Sequence, residues 1–165
     1  MTRIANIVTA AVVAITMGTA ASSIAADSST IVKVALTDMS ASAGMGPMGQ
    51  MMMGPNMMIG MMAIRIDQET IKAGPVKFDV TNWSRYRPHE MLVVAVDNPA
   101  TALPYDYSEA KVNEDQVKVL GDTSELQPNK SASVEVTLAP GSYLLICNVP
   151  GHYAAGMAVP LVVKP

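Results

Sequence analysis

The chain has 165 residues, with 11 Lys and Arg against 14 Asp and Glu and a formal net charge of -3. A chain of this length buries enough surface for one self-sufficient domain plus an appendage, and its mild acidity excludes the basic footprint of a nucleic-acid binder. Its single cysteine excludes an internal disulfide framework, so an exported form must keep that thiol occupied or protected.

The N-terminus reads as an export signal, with Arg3, an apolar run from Ile4 to Met17, and small residues through Ala21, Ala25 and Ala26. Residues 1–26 are assigned to it, with cleavage after Ala25 or Ala26. The Ala, Thr and Gly content of the run argues against a retained membrane anchor. Removal takes Arg3 away and leaves ten basic residues against the 14 acidic ones, a formal charge of -4. No later segment is long and apolar enough to span a bilayer, so no membrane contact is expected after cleavage.

Residues 27–38 carry the first expected strand, because Val32, Val34 and Leu36 fall on one face at period two. Residues 39–62 hold ten of the 14 methionines among Gly, Pro, Ser and Gln, without helical or strand period, and read as a low-complexity insertion. Residues 63–165 complete the same domain. Strands are expected near Met62 to Gln68, Val76 to Asn82, Glu90 to Val96, Gln116 to Leu120, Ser131 to Leu138, Gly141 to Cys147 and Ala158 to Val163. Turn chemistry such as Ala73-Gly74-Pro75, Asp97-Asn98-Pro99 and Ala139-Pro140-Gly141 separates them. Val76, Phe78 and Val80 alternate with Lys77, Asp79 and Thr81, as do Val134, Val136 and Leu138 with Ser133, Glu135 and Thr137. Tyr107 to Asn113 is expected to form a short helix. Phe78 and Trp83 read as core or strand-edge residues, and Arg85, Tyr86 and Arg87 as a solvated loop. Asn82-Trp83-Ser84 has the form of a glycosylation acceptor, which needs a eukaryotic secretory route and is given no weight. About eight short strands imply an all-β fold, a Greek-key β-sandwich or barrel.

The chemistry concentrates near the C-terminus. Cys147, His152 and Met157 present thiolate, imidazole and thioether at spacings of five and five, on a loop between two expected strands. Copper cycling between Cu(I) and Cu(II) suits such donors, and a trigonal His, His, Cys plane with a long axial Met is the pattern of electron-transfer copper. The second imidazole must come from His89, since the chain has only two histidines. Taken singly, Cys147 reads as a small buried hydrophobe, each His as a hydrogen-bonded core residue and Met157 as packing. Zinc is the sharper rival for two His and one Cys, but it does not favour a thioether, and Glu90 is the only carboxylate near enough in sequence to serve as a base. With both histidines committed, none remains for a second copper centre, and no enzymatic turnover is expected. Two readings of the Met-rich insertion stay open: a soft-ligand segment that takes additional Cu(I), or a linker in which Met is a pliable filler.

These residues resemble the cupredoxin superfamily of plastocyanin and azurin, and more closely its small bacterial periplasmic members with a Met-rich N-terminal segment. The likeness covers roughly residues 30 to 165. It rests on Ala73 to Asn82, on Pro88-His89-Glu90-Met91, and most specifically on Leu138 to Tyr143 leading into Cys147-Asn148-Val149-Pro150-Gly151-His152. The resemblance implies a type 1 copper site with His89, Cys147 and His152 as equatorial ligands and Met157 as the axial one. It implies that His152 is the solvent-facing electron port, inside a rim of Pro150, Gly151, Tyr153, Ala154, Ala155 and Ala158 where a redox protein, a cytochrome or another copper protein, docks transiently. Glu90 stands where many relatives have Asn, and its backbone N–H can still reach the Cys147 sulfur. The expected function is a monomeric periplasmic carrier of single electrons; the alternative is copper homeostasis aided by the Met-rich segment.

Overall fold

A computed structural model describes residues 29–38 and 62–165; the expected export signal 1–26 and the Met-rich stretch from Met39 to Met61 lie outside the described residues. Among the described residues eleven strands form, β1 Thr30–Asp38, β2 Met62–Ile66, β3 Thr70–Lys72, β4 Gly74–Asn82, β5 Leu92–Val96, β6 Tyr105–Asp106, β7 Lys111–Val112, β8 Lys118–Asp122, β9 Ser131–Leu138, β10 Gly141–Ile146 and β11 Ala158–Lys164. Nine of them make two sheets, ordered β2-β1-β4-β9 and β3-β11-β10-β5-β8, while β6 and β7 make a separate two-stranded ladder. The expected β-sandwich is therefore observed. Met62 closes the Met-rich stretch as the first residue of β2, paired with Asp38 and buried. Among the described residues no helix is long and apolar enough to cross a membrane.

Period-two alternation builds the first sheet. Val32, Val34 and Leu36 of β1, Val76, Phe78 and Val80 of β4, and Val134 and Leu138 of β9 all face one core. They meet Val93, Tyr143, Leu145, Leu161 and Val163 from the second sheet. The central strands β5 and β10 read differently, as continuous apolar runs, because both of their faces are covered. Leu92, Val94, Leu144 and Ile146 form a second cluster on the outer face with Val112 of β7, against which Leu103, Tyr105 and Val117 pack.

That outer cover explains the departures from expectation. Tyr107 to Asn113 does not form a helix. Instead Asp106 accepts hydrogen bonds from the N–H of Ser108 at 2.7 Å and of Glu109 at 3.3 Å and from the Ser108 hydroxyl at 2.6 Å. This local turn competes with helix formation, and β7 then returns Val112 to the apolar face. The helical turn appears later, as a single 3-10 turn at Glu114–Gln116 capped by the Asn113 side chain, so the strand expected from Gln116 begins at Lys118. Strand β3 was not expected at all; three residues carry too little pattern, and pairing parallel to β11 defines it. Phe78 lies in the core as expected, but Trp83 is 63% exposed.

At the far edge β8 approaches β9 so closely that Gly121 is required. A Cβ there would lie 2.9 Å from Cγ1 of both Val134 and Val136. Gly121→Ala is expected to cost about 1–3 kcal/mol through overpacking, seen as a lower urea midpoint with unchanged slope. An unchanged midpoint would mean that the two strands have room to part.

Candidate metal centre

Strand pairing brings the distant donors together. Strand β10 runs antiparallel to β5 with Ile146 opposite Leu92, so the residue after β10 lies beside the segment that precedes β5. Cys147 occupies the first position and His89 the second. His89 is held by a two-bond bridge to Leu126, with His89 N–H donating to Leu126 O at 3.1 Å and Leu126 N–H donating to His89 O at 2.7 Å. His152 arrives on the loop that follows Cys147. A turn made possible by Gly151, whose φ of 82° lies in the left-handed region, sends the chain back toward the site.

The loop is tied at both ends. Cys147 N–H donates to Met157 O at 3.0 Å and Met157 N–H donates to His152 O at 3.1 Å, so Met157 closes the loop from a fully buried position. The β6–β7 flank braces it from outside. Gly151 N–H donates to Ala110 O at 2.7 Å, and Leu103 N–H donates to the Tyr153 hydroxyl at 3.0 Å. Asn148 is buried, accepts from Val112 N–H at 2.7 Å and donates to Glu114 Oε1 at 2.9 Å. Sequence reasoning passed over Asn148, although it directly follows the only cysteine.

Three donor atoms converge. The Nδ1 atoms of His89 and His152 are 3.1 Å apart, and Cys147 Sγ lies 3.7 Å from the first and 3.4 Å from the second. An ion held in a trigonal plane about 2.0 Å from nitrogen and about 2.3 Å from sulfur needs N–N and N–S separations of about 3.5 and about 3.7 Å. The observed set is within a few tenths of an ångström of this, and it contains no carboxylate. Soft and borderline donors alone suit a thiophilic metal that accepts imidazole, which is copper's preference. All three residues are buried, with His152 keeping 6% exposure and the other two none.

Burial also sets the charge of the donors. It pushes the Cys147 thiol up to about 11, although the N–H groups of Glu90 and Val149 point at the sulfur and oppose the rise. The Glu90 N–H to Sγ distance is 3.5 Å, as the resemblance led one to expect. Burial, helped by His89 and Arg87, brings His152 down to about 4, and burial lowers His89 as well, with the Asp38 carboxylate opposing. Both imidazoles are thus neutral and able to ligate near neutral pH. The Glu90 carboxyl is pushed up, chiefly by burial, and its Oε1 has no hydrogen-bond partner.

Comparison with known proteins agrees with this geometry. A family model described as copper binding proteins of the plastocyanin/azurin family matches residues 52–164. The chain belongs to that family. Auracyanin-B of Chloroflexus aurantiacus is 48% identical over 52 residues, which are 31% of this chain and 22% of that relative, so the match spans about a fifth of the relative's length. A solved structure of auracyanin B superposes with a TM-score of 0.53 at 24% identity, covering 82% of this chain and 89% of that one. Rusticyanin from Thiobacillus ferrooxidans superposes with a TM-score of 0.50 at 16% identity, covering 81% and 76%. These two likenesses show the common fold. In a copper-binding family, His89, Cys147 and His152 are positioned as the ligand group for a single copper ion.

The buried donors make the metal-free protein's stability depend on pH. The unfolded chain protonates His152 near its ordinary 6.5, before the folded chain does, so stability is full above 6.5 and falls as pH drops toward 4. The unfolded chain also loses the Cys147 proton near 9.0, before the folded chain, so stability falls again as pH rises toward 11. Urea midpoints of the metal-free protein are expected to plateau between these limits, and Cys147→Ser to lose the alkaline fall. A midpoint that stays level from pH 7 down to 5 would contradict the burial of His152.

Proposed function

We propose that this protein is an exported, periplasmic carrier of single electrons, built around one copper ion held by His89, Cys147 and His152 with Met157 as the axial ligand. The observation that carries the reading is the convergence of two neutral imidazole nitrogens and a buried thiol on one point, inside a family defined by copper binding. Copper in such a site supplies a one-electron couple between Cu(I) and Cu(II). The chain's own work is to hold the donors still. The β5–β10 pairing, the His89–Leu126 bridge and the closure of the loop at Met157 fix the donors from rigid elements. Two N–H groups aimed at Cys147 Sγ stabilise the thiolate that ligation requires, because ligating cysteines must be deprotonated.

His152, with 6% exposure against none for His89 and Cys147, is the route out of the site. The half-buried Gly151, Tyr153 and Ala155 and the exposed Pro150 and Ala154 around it present a small, mostly apolar rim without charge. A redox protein partner, a cytochrome or a second copper protein, docks there weakly enough to leave quickly. The protein works as a monomer and turns over no substrate, since its donors are enclosed and both histidines are committed to the metal.

Adding Cu(II) to the mature protein is expected to produce an intense visible charge-transfer band at one ion per chain. Cys147→Ser abolishes it, while Met157→Leu, close in volume, keeps the band and raises the reduction potential. A wild-type protein that takes up Cu(II) without such a band would sink the proposed site, and an unchanged potential in Met157→Leu would remove the axial ligand from it.

A further inference from the structure

The segment that delivers His89 is organised by two buried polar side chains outside the donor set. Asn82, the last residue of β4, has no exposed surface. Its Nδ2 donates to Arg87 O at 2.9 Å and to Leu126 O at 2.8 Å, and its Oδ1 accepts from Ser84 N–H at 2.9 Å. The carboxamide therefore spans the throat of the loop between Asn82 and His89. Leu126 O receives two bonds at once, from Asn82 Nδ2 and from His89 N–H. Ser84, also without exposed surface, extends the lock. Its hydroxyl donates to Asp38 Oδ2 at 2.7 Å and accepts from Arg87 N–H at 2.8 Å and Tyr86 N–H at 3.2 Å.

The chemistry leaves few substitutes at position 82. Two carbonyl oxygens need two donors, and one backbone N–H needs an acceptor, all within a single short side chain; among the amino acids that is a carboxamide. A carboxylate of the same size would set lone pairs against two carbonyls in a buried site, and an alkyl side chain would remove all three bonds, leaving Leu126 O with only the one from His89 N–H. Neither Asn82 nor Ser84 reaches the donor atoms through any of these bonds. Their action runs through hydrogen bonds, from the Asp38 carboxylate at the end of β1 through Ser84 and the Asn82 carboxamide to Leu126 O, and from Leu126 O to the His89 backbone N–H.

We propose that Asn82 is a positioning residue for His89, with the Ser84–Asp38 bond as its brace, and that this pair keeps the imidazole in one place when the metal changes oxidation state. The proposal rests on the reading of His89 as a copper ligand. Groups that orient a ligand alter rates and affinities by about tenfold to a hundredfold when removed.

The test compares the copper-loaded wild type with Asn82→Asp, Ser84→Ala, Ser84→Thr and Val136→Ala, the last a change in β9 remote from the loop. Electron self-exchange is read from NMR line broadening in mixtures of the reduced and oxidised forms, and the visible and EPR spectra of the Cu(II) forms are recorded beside urea midpoints. Asn82→Asp is expected to slow self-exchange by about tenfold or more and to alter the spectra. Ser84→Ala shifts both in the same direction, Ser84→Thr returns them to wild type by restoring the hydroxyl, and Val136→Ala lowers the midpoint while leaving both unmoved. Wild-type exchange and spectra in Asn82→Asp, or equal changes in Val136→Ala, would overturn the assignment. If Asn82→Asp does not fold, the Ser84 pair decides, since equal behaviour of its two variants also overturns it. A wild-type protein without a charge-transfer band would instead refute the copper reading beneath it.

Discussion

Everything at the metal centre depends on the register of β10 against β5. With Ile146 facing Leu92, a cysteine one residue beyond the end of one strand meets a histidine three residues before the start of the other. A one-residue slip would turn the alternate faces of both strands over, and because both faces are buried there is no solvated side to tolerate it. The double apolar face of β5 and β10 is thus more than core volume. It makes the alignment of the donors as strict as the packing of the sandwich, and the flank from Leu103 to Val117, which covers the outer face, shares in that strictness.

The same flank braces the donor loop through Ala110, Val112 and Glu114, so the site is gripped from two sides by elements with different sequence signatures. On the inner side the grip is made by strands, and on the outer side by a two-stranded turn with a one-turn helix behind it. Burial then performs the electrostatic work, holding imidazoles neutral while two N–H groups lean toward the sulfur. A carboxyl beside this set, that of Glu90, is pushed toward its neutral form by the same burial.

Much of this was legible in the sequence where a short-range pattern carried it. The period-two runs of β1, β4 and β9 announced both strand and face, because alternation is a local consequence of the pleat. The Cys147, His152 and Met157 spacing announced soft-metal chemistry because three donors of that type seldom share eleven residues, and His89 followed because the chain holds just two histidines. What stayed hidden depends on partners distant in sequence. Strand β3 exists through its pairing with β11, and Val112 reads as part of a helix until the apolar face it covers is known. Asn82 read only as the end of a strand and, with Ser84, as part of a glycosylation pattern, since nothing local distinguishes a buried carboxamide from a solvated one. Trp83, read as core or strand-edge, lies just beyond the end of β4, where its neighbours on either side turn inward and leave it outside.

The tie between Cys147 N–H and Met157 O joins the two ends of the donor loop across adjacent strands. The loop is therefore closed on itself, entered and left at one fixed gate. Fixing the two ends there sets the closure of the intervening residues at the β10–β11 pairing itself, apart from the bridge that holds His89. The strands and the bridge at Leu126 thus hold one imidazole, while the segment between the gateposts carries the other, together with the small apolar surface around it.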